Sequence, residues 1–269
     1  MVFGDELASI YSPLSDKWSV PTQVTVKTTL NMRSVVHARG KVYMFGGNEY
    51  PTAFIWFSVE DGQWHNKIED QPNYQMSTSY YDGDKLIYMV TCADKINPKV
   101  SRVQSFNIDT QQFNHIGDLP TYLEGSDLYV RCNQLIFVDG WTINANERLE
   151  IVFFNLTTLV HERSYPLPWT VRTSCYDGVD TLYLVADDCE FISVSLSTGQ
   201  LRDLAPSPVK PNPFVLTCGP QRGALYYCKG ANKNYQYSIK LNQWIHISDS
   251  PLGLGAEAIC LLSDRQFKR

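Results

Sequence analysis

Five short apolar runs stand out along the chain: Lys41-Val-Tyr-Met-Phe-Gly-Gly47, Lys85-Leu-Ile-Tyr-Met-Val90, Gln134-Leu-Ile-Phe-Val138, Thr181-Leu-Tyr-Leu-Val185 and Ala224-Leu-Tyr-Tyr-Cys228. Each is almost continuously apolar, the pattern of a strand covered on both faces by neighbouring layers. The residues ahead of them are turn formers, and Asp82-Gly83 and Asp177-Gly178 are short-range hairpin signals.

A second pattern alternates with these runs. An aromatic or apolar residue is followed by six turn-prone residues and then by another aromatic or apolar residue. It reads Tyr11 to Trp18, Phe57 to Trp64, Phe106 to Phe113 and Tyr237 to Trp244, with weaker copies at Phe154 to His161 and Val194 to Leu201. Each phrase predicts two strands joined by a tight turn. With the hairpin ahead of it, each unit has four strands.

The phrase starts advance by 46, 49, 48, 40 and 43 residues, and the interval counted through the termini is 43. A cyclic repeat of this length predicts an all-β fold, a six-bladed β-propeller of four-stranded antiparallel blades. Residues 252–269 supply the innermost strand of the closing blade, Met1 to Gly4 the next, and Tyr11 to Trp18 the outer hairpin. The expected single domain, residues 1–269, divides into a composite blade (252–269 plus 1–20) and blades at about 21–71, 72–120, 121–168, 169–208 and 209–251.

Composition narrows the function classes. The chain has 269 residues, a length open to two domains or one large architecture, and the cyclic repeat selects the second. Its net charge of −5 lacks the basic footprint of a nucleic-acid binder. No apolar run reaches membrane-spanning length, and acids stand where a signal peptide would be basic. The seven cysteines (92, 132, 175, 189, 218, 228 and 260) are odd in number, scattered and never in a C-x-x-C pair. They predict buried thiols and a cytoplasmic protein rather than a disulfide framework or a metal site. The Asn155-Leu156-Thr157 sequon is a chance match in such a chain.

Gly46-Gly47 after an apolar strand, Phe57 and Trp64 downstream, and Arg33 upstream resemble the kelch motif. The stretch Val103 to Phe113 with Gly117-Asp-Leu-Pro120 is similar to the outer half of a kelch blade. Elsewhere the double glycine is replaced by Val90-Thr91, Asp139-Gly140, Ala186-Asp187 and Lys229-Gly230. The tryptophan, kept at 18, 64 and 244, becomes Phe113, His161 and Leu201. A closing blade whose innermost strand is C-terminal resembles the kelch domains of BTB–kelch and F-box–kelch proteins. That resemblance implies a non-catalytic module that binds a protein or peptide, with substrate receptor of a ubiquitin ligase as one such role, and it implies that Arg33 and Arg172, each just ahead of an expected inner strand, lie near the central channel.

Tyr11, Trp18, Gly46, Gly47, Phe57, Trp64, Phe106, Phe113, Tyr237 and Trp244 are assigned to the structural repeat core. The five histidines (37, 65, 115, 161 and 246) follow the repeat, and no H-x-x-x-H, H-E-x-x-H or phosphate-binding glycine pattern occurs. No catalytic residue, metal or cofactor is therefore assigned. Two alternatives stay open, a propeller enzyme acting on a sugar or small metabolite at the channel and an actin-type scaffold.

Function is expected on the loops joining second to third strands. These are 48–52, 94–102, 141–148, 187–190 and 229–234. Lys95, Lys99, Arg102, Arg148, Lys229 and Lys233 give this face a positive rim on an acidic chain, with Trp141 and Tyr50 as anchors and Asn144 as a polar contact. The expected partner is an acidic protein or peptide bound by a monomer.

Overall fold

The computed structural model describes residues 1–3, 7–12, 15–24, 34–45, 53–68, 78–92, 101–119, 123, 125–138, 149–186, 188–210, 215–218, 224–228, 234–249 and 258–260. The first strands are short: β1 (Val2–Phe3), β2 (Leu7–Ser9), β3 (Tyr11–Ser12), β4 (Lys17–Trp18) and β5 (Thr22–Gln23). Next come β6 (Val35–Ala38), β7 (Lys41–Phe45), β8 (Ala53–Ser58) and β9 (Gln63–Ile68), then β10 (Thr78–Tyr81), β11 (Leu86–Cys92), β12 (Ser101–Asn107) and β13 (Gln112–Leu119). They are followed by β14 (Asp127–Arg131), β15 (Gln134–Val138), β16 (Glu150–Asn155) and β17 (His161–Pro166). The series closes with β18 (Val171–Tyr176), β19 (Thr181–Ala186), β20 (Phe191–Ser195), β21 (Leu201–Asp203), β22 (Val215–Cys218), β23 (Ala224–Cys228), β24 (Asn234–Ser238), β25 (Gln243–His246) and β26 (Ala258–Ile259). Among the described residues these strands form six four-stranded antiparallel sheets and one two-stranded hairpin, with almost no helix.

The chain divides into two compact units, Thr28–Thr170 and Met1–Lys27 with Val171–Arg269. The first holds the sheets β6–β9, β10–β13 and β14–β17, each a meander in chain order. The first strands of successive sheets lie beside one another, β6 next to β10 and β10 next to β14. Between β6–β9 and β10–β13 sits a core of Tyr43, Phe45, Phe54, Met89 and Phe106. Between β10–β13 and β14–β17 the core is Val90, Val103, Leu135, Phe137 and Phe154. Apolar side chains on both faces of the middle sheet explain why the apolar runs do not alternate.

The second unit holds β18–β21, β22–β25 and a sheet ordered β26-β1-β2-β5. Here too the first strands stand side by side, β18 by β22 and β22 by β26. Val2 pairs with Ile259 and Phe3 with Ala258, so the two ends of the chain share one sheet. This sheet reaches Gln23, beyond the boundary expected at residue 20. Its outer hairpin is interrupted: Ser19 Oγ takes the Ile10 amide, and the ladder slips by one residue between Tyr11↔Trp18 and Ala8↔Thr22. The outer strand therefore resumes only at Thr22.

The six aromatic phrases share one geometry. Their end residues are direct cross-strand partners: Tyr11 and Trp18, Phe57 and Trp64, Phe106 and Phe113, Phe154 and His161, Val194 and Leu201, Tyr237 and Trp244. Their sixth residues, Asp16, Gly62, Gln111, Leu159, Gly199 and Asn242, all have φ between 49° and 72°. In four phrases the amide of that residue bonds the carbonyl of the second, as Gly62 does to Ser58 at 2.9 Å and Leu159 to Asn155 at 2.8 Å. A left-handed residue closing a single helical turn returns the chain into the fourth strand.

Two phrases of the second unit extend this turn into a clamp on the neighbouring sheet. Asn242 Oδ1 accepts the Tyr237 hydroxyl and the amide of Ala205 (2.8 Å), while Trp244 Nε1 donates to the Ala205 carbonyl at 2.9 Å. The β3–β4 hairpin repeats the device. Asp16 Oδ1 accepts the Tyr11 hydroxyl (2.7 Å) and the Ser248 amide (2.9 Å), and Trp18 Nε1 donates to the Ser248 carbonyl at 2.9 Å. In both, one residue just past an outer strand has its amide and its carbonyl held by the next sheet.

Candidate functional site

The face carrying the second-to-third-strand loops is fixed by a contact made sheet after sheet. As the chain leaves an outer strand, it bonds backbone to the head of the third strand or to the loop before it. The Leu123 amide reaches Ser101 Oγ at 3.0 Å, Leu167 reaches the Leu149 carbonyl at 2.8 Å, Ser207 that of Cys189 at 2.8 Å, and Ile247 that of Asn234 at 3.0 Å. In these four sheets the head of the third strand, or a residue just before it, is thereby tied to the segment that follows the outer strand.

The best described of these loops, 188–190, is a tight turn. Ala186 donates to the Glu190 carbonyl (2.9 Å), and Cys189 takes φ of 77°. Asp188 and Glu190 are exposed, so this segment of the face is acidic.

Of the expected partner-binding residues, Arg102 is described, and the structure corrects its setting. β12 begins at Ser101, so Arg102 lies inside a strand rather than in the loop 94–102. It is paired across the ladder with Asp118, Nε to Oδ1 3.6 Å, and His115 Nε2 lies 3.8 Å from the same carboxylate oxygen. The ladder shifts register between Val103 and Gln104, one residue along β12 from this pair. Asn234, expected at the end of the loop 229–234, is instead the buried first residue of β24 and donates to the Ser248 carbonyl at 3.4 Å. Tyr50, Lys95, Lys99, Trp141, Asn144, Arg148, Lys229 and Lys233 lie outside the described residues, as do Gly46, Gly47 and Arg33.

Arg172 stands within β18, not ahead of it. A register shift between Val171 and Thr173 leaves it out of the ladder and exposed while its strand neighbours are buried. Sequence reasoning missed the bulge because nothing in Val-Arg-Thr distinguishes a bulged arginine from a ladder one.

The repeat-core residues occupy the interior or its edge. Phe57, Phe106 and Tyr237 are buried, whereas Tyr11, Trp18, Trp64, Phe113 and Trp244 are half-buried. Each first residue faces its partner ring at contact distance, as Tyr237 faces Trp244 at 5.0 Å and Phe106 faces Phe113 at 4.8 Å.

The histidines are dispersed. His37 is buried in β6, and burial pushes its imidazole down to about 4, so it is neutral at physiological pH. His65 stacks on Trp56 and sits 3.3 Å from Asp61, and His246 lies 3.7 Å from Asp249. Among the described residues no three His, Cys, Asp or Glu side chains come together as metal ligands. Asn155 of the sequon is committed to its turn: Oδ1 accepts the amides of Thr157 and Thr158 at 3.0 Å, and Nδ2 donates to Glu162 at 3.0 Å. The amides of Asn155 and Gln134 hold the Glu162 carboxyl below its usual range, Gln134 having the larger effect.

No family model matches the chain. Over 158 residues, 57% of its length, it is 23% identical to a RING finger domain and kelch repeat-containing protein of Dictyostelium discoideum, and the match spans 15% of that protein. Taken with blade-like sheets whose first strands stand side by side, this likeness makes the chain one that resembles a kelch-repeat β-propeller.

Proposed function

We propose that the six sheets close into one six-bladed propeller that acts as a non-catalytic interaction module, presenting its second-to-third-strand loops to an acidic protein or peptide. The observation that carries this reading is the repeated tie between inter-sheet linker and third strand. It anchors the start of the third strand in four sheets, while the loop sequences ahead of those strands differ in length and charge, an arrangement that suits recognition. The likeness to a protein that joins a RING finger domain to kelch repeats supports a role as substrate receptor of a ubiquitin ligase. The free, scattered cysteines among the described residues fit a cytoplasmic protein.

The test is fluorescence anisotropy with a labelled Glu-rich peptide, comparing the wild type with Lys95→Glu/Lys99→Glu and with Trp141→Ala. Arg102 is left out of the reversal, because a glutamate there would face Asp118 across the ladder and unsettle β12 itself. Binding is expected to weaken about tenfold or more in each variant and to fall with added salt. Unchanged binding in both variants, with unchanged thermal midpoints, would show that the proposed face is wrong.

A further inference from the structure

The first strands β18 and β22 lie beside one another, and two contacts between them share one offset. The Leu216 amide donates to Thr173 Oγ1 at 3.0 Å. Two residues further along both strands, the Cys218 thiol lies 2.9 Å from Cys175 Sγ. Each contact joins residues 43 apart, so the strands run in the same direction and the two cysteines occupy the same place in successive sheets. Side chains two apart on a strand share a face, which puts the Cys175 thiol on the same side as the Thr173 hydroxyl that anchors β22.

Accessibility differs between the two sulfurs. Cys175 is buried and Cys218 half-buried, so a small reagent meets Cys218 first. Tyr183 stands directly across the ladder from Cys175. Burial raises its phenol, so it stays protonated beside the two sulfurs. From 2.9 Å, a sulfur–sulfur bond requires closure by about 0.9 Å.

We propose that Cys175 and Cys218 form a redox-reactive dithiol that closes to a disulfide between β18 and β22 on meeting a low-molecular-weight disulfide such as oxidised glutathione. The Cys218 thiolate attacks one reagent sulfur. The reagent's S–S bond breaks, one thiolate leaves and is protonated, and a mixed disulfide remains on Cys218. The Cys175 thiolate then attacks Cys218 Sγ and expels the second thiolate, which is protonated in turn. Two electrons pass from the protein dithiol to the reagent, and the protons lost by the two cysteines end on the two released thiols.

The experiment incubates the full chain in reduced and oxidised glutathione mixtures spanning cytosolic to oxidising potentials, then alkylates it and maps peptides without reduction. Titratable thiols are expected to fall from the seven of the sequence to five, with loss of two hydrogen masses. One cross-linked peptide pair should carry Cys175 and Cys218, and dithiothreitol should reverse the change. In Cys175→Ser the glutathione adduct should instead persist on Cys218. The proposal is overturned if the wild type keeps all seven thiols at the most oxidising mixture, if Cys218 accumulates the adduct without cross-linking, or if the linked peptides carry other cysteines. The wild-type map decides the matter even where the serine variant folds poorly.

Discussion

Asn242 offers the sharpest test of how successive sheets are joined. It is the sixth residue of its phrase, at φ of 50°, and its Oδ1 receives both the Tyr237 hydroxyl and the Ala205 amide. Asn242→Gly keeps a backbone that tolerates this conformation and deletes only the acceptor. Relief of the left-handed penalty and the added freedom of the unfolded chain are each below about 1 kcal/mol and opposite in sign. Two hydrogen bonds worth about 1 kcal/mol each then set the loss, about 2 kcal/mol. Urea denaturation should show a lower midpoint at an unchanged slope, and the thermal midpoint should fall by about 4–8 °C. Asn242→Asp retains the acceptor that Asp16 supplies in the equivalent clamp, and should stay within about 0.5 kcal/mol of wild type. Trp244→Phe removes the donor to the Ala205 carbonyl, and combined with Asn242→Gly it should cost less than the sum, since both grip one residue. The reasoning fails if Asn242→Asp is as damaging as the glycine variant, or if Asn242→Gly leaves the midpoint where it was.

The buried His37 should make the protein sensitive to mild acid. Its folded-state value of about 4 lies below the ordinary 6.5, so the unfolded chain takes up the proton first; its contribution is complete above pH 6.5 and is lost as pH falls toward 4. By pH 5 that loss is about 2 kcal/mol, and His37→Gln should flatten the fall in thermal midpoint between pH 7 and 5; a variant with the wild-type slope would refute the assignment. At Gly117, a built Cβ would stand 2.5 Å from Leu159 Cδ1 on the next sheet. Gly117→Ala should therefore destabilise by about 1–3 kcal/mol, and Leu159→Gly, which also suits that left-handed site, should recover part of the loss in the double variant; simple additivity would count against the contact.

The hairpin phrases were legible because their signal is paired: an aromatic at one end and its cross-strand partner seven positions later, as Tyr237 and Trp244. The sixth position was not legible. It holds Asp, Gly, Gln, Leu, Gly and Asn, which share a backbone conformation and no side-chain chemistry. Leu159 shows why. An apolar β-carbon in the left-handed region reads as a poor choice locally, and it makes sense only beside the space that Gly117 leaves on the preceding sheet. Arg102 and Arg172 were misplaced for a related reason: each lies beside a register shift, which depends on the partner strand.

Contacts between sheets obey a different arithmetic from contacts within them. Inside a sheet, partners are found by hairpin symmetry, summing to a constant about the turn. Between sheets, first strands run in the same direction, so partners are found by a constant difference, and Thr173 with Leu216 and Cys175 with Cys218 share the same difference of 43. That number is also the local phrase interval, from Val194 to Tyr237. The cysteine pair was therefore present in the sequence as two cysteines in equal phase of the repeat. A scan for C-x-x-C spacing passes over it because that motif assumes one continuous segment, whereas a repeat fold brings together residues a whole blade apart.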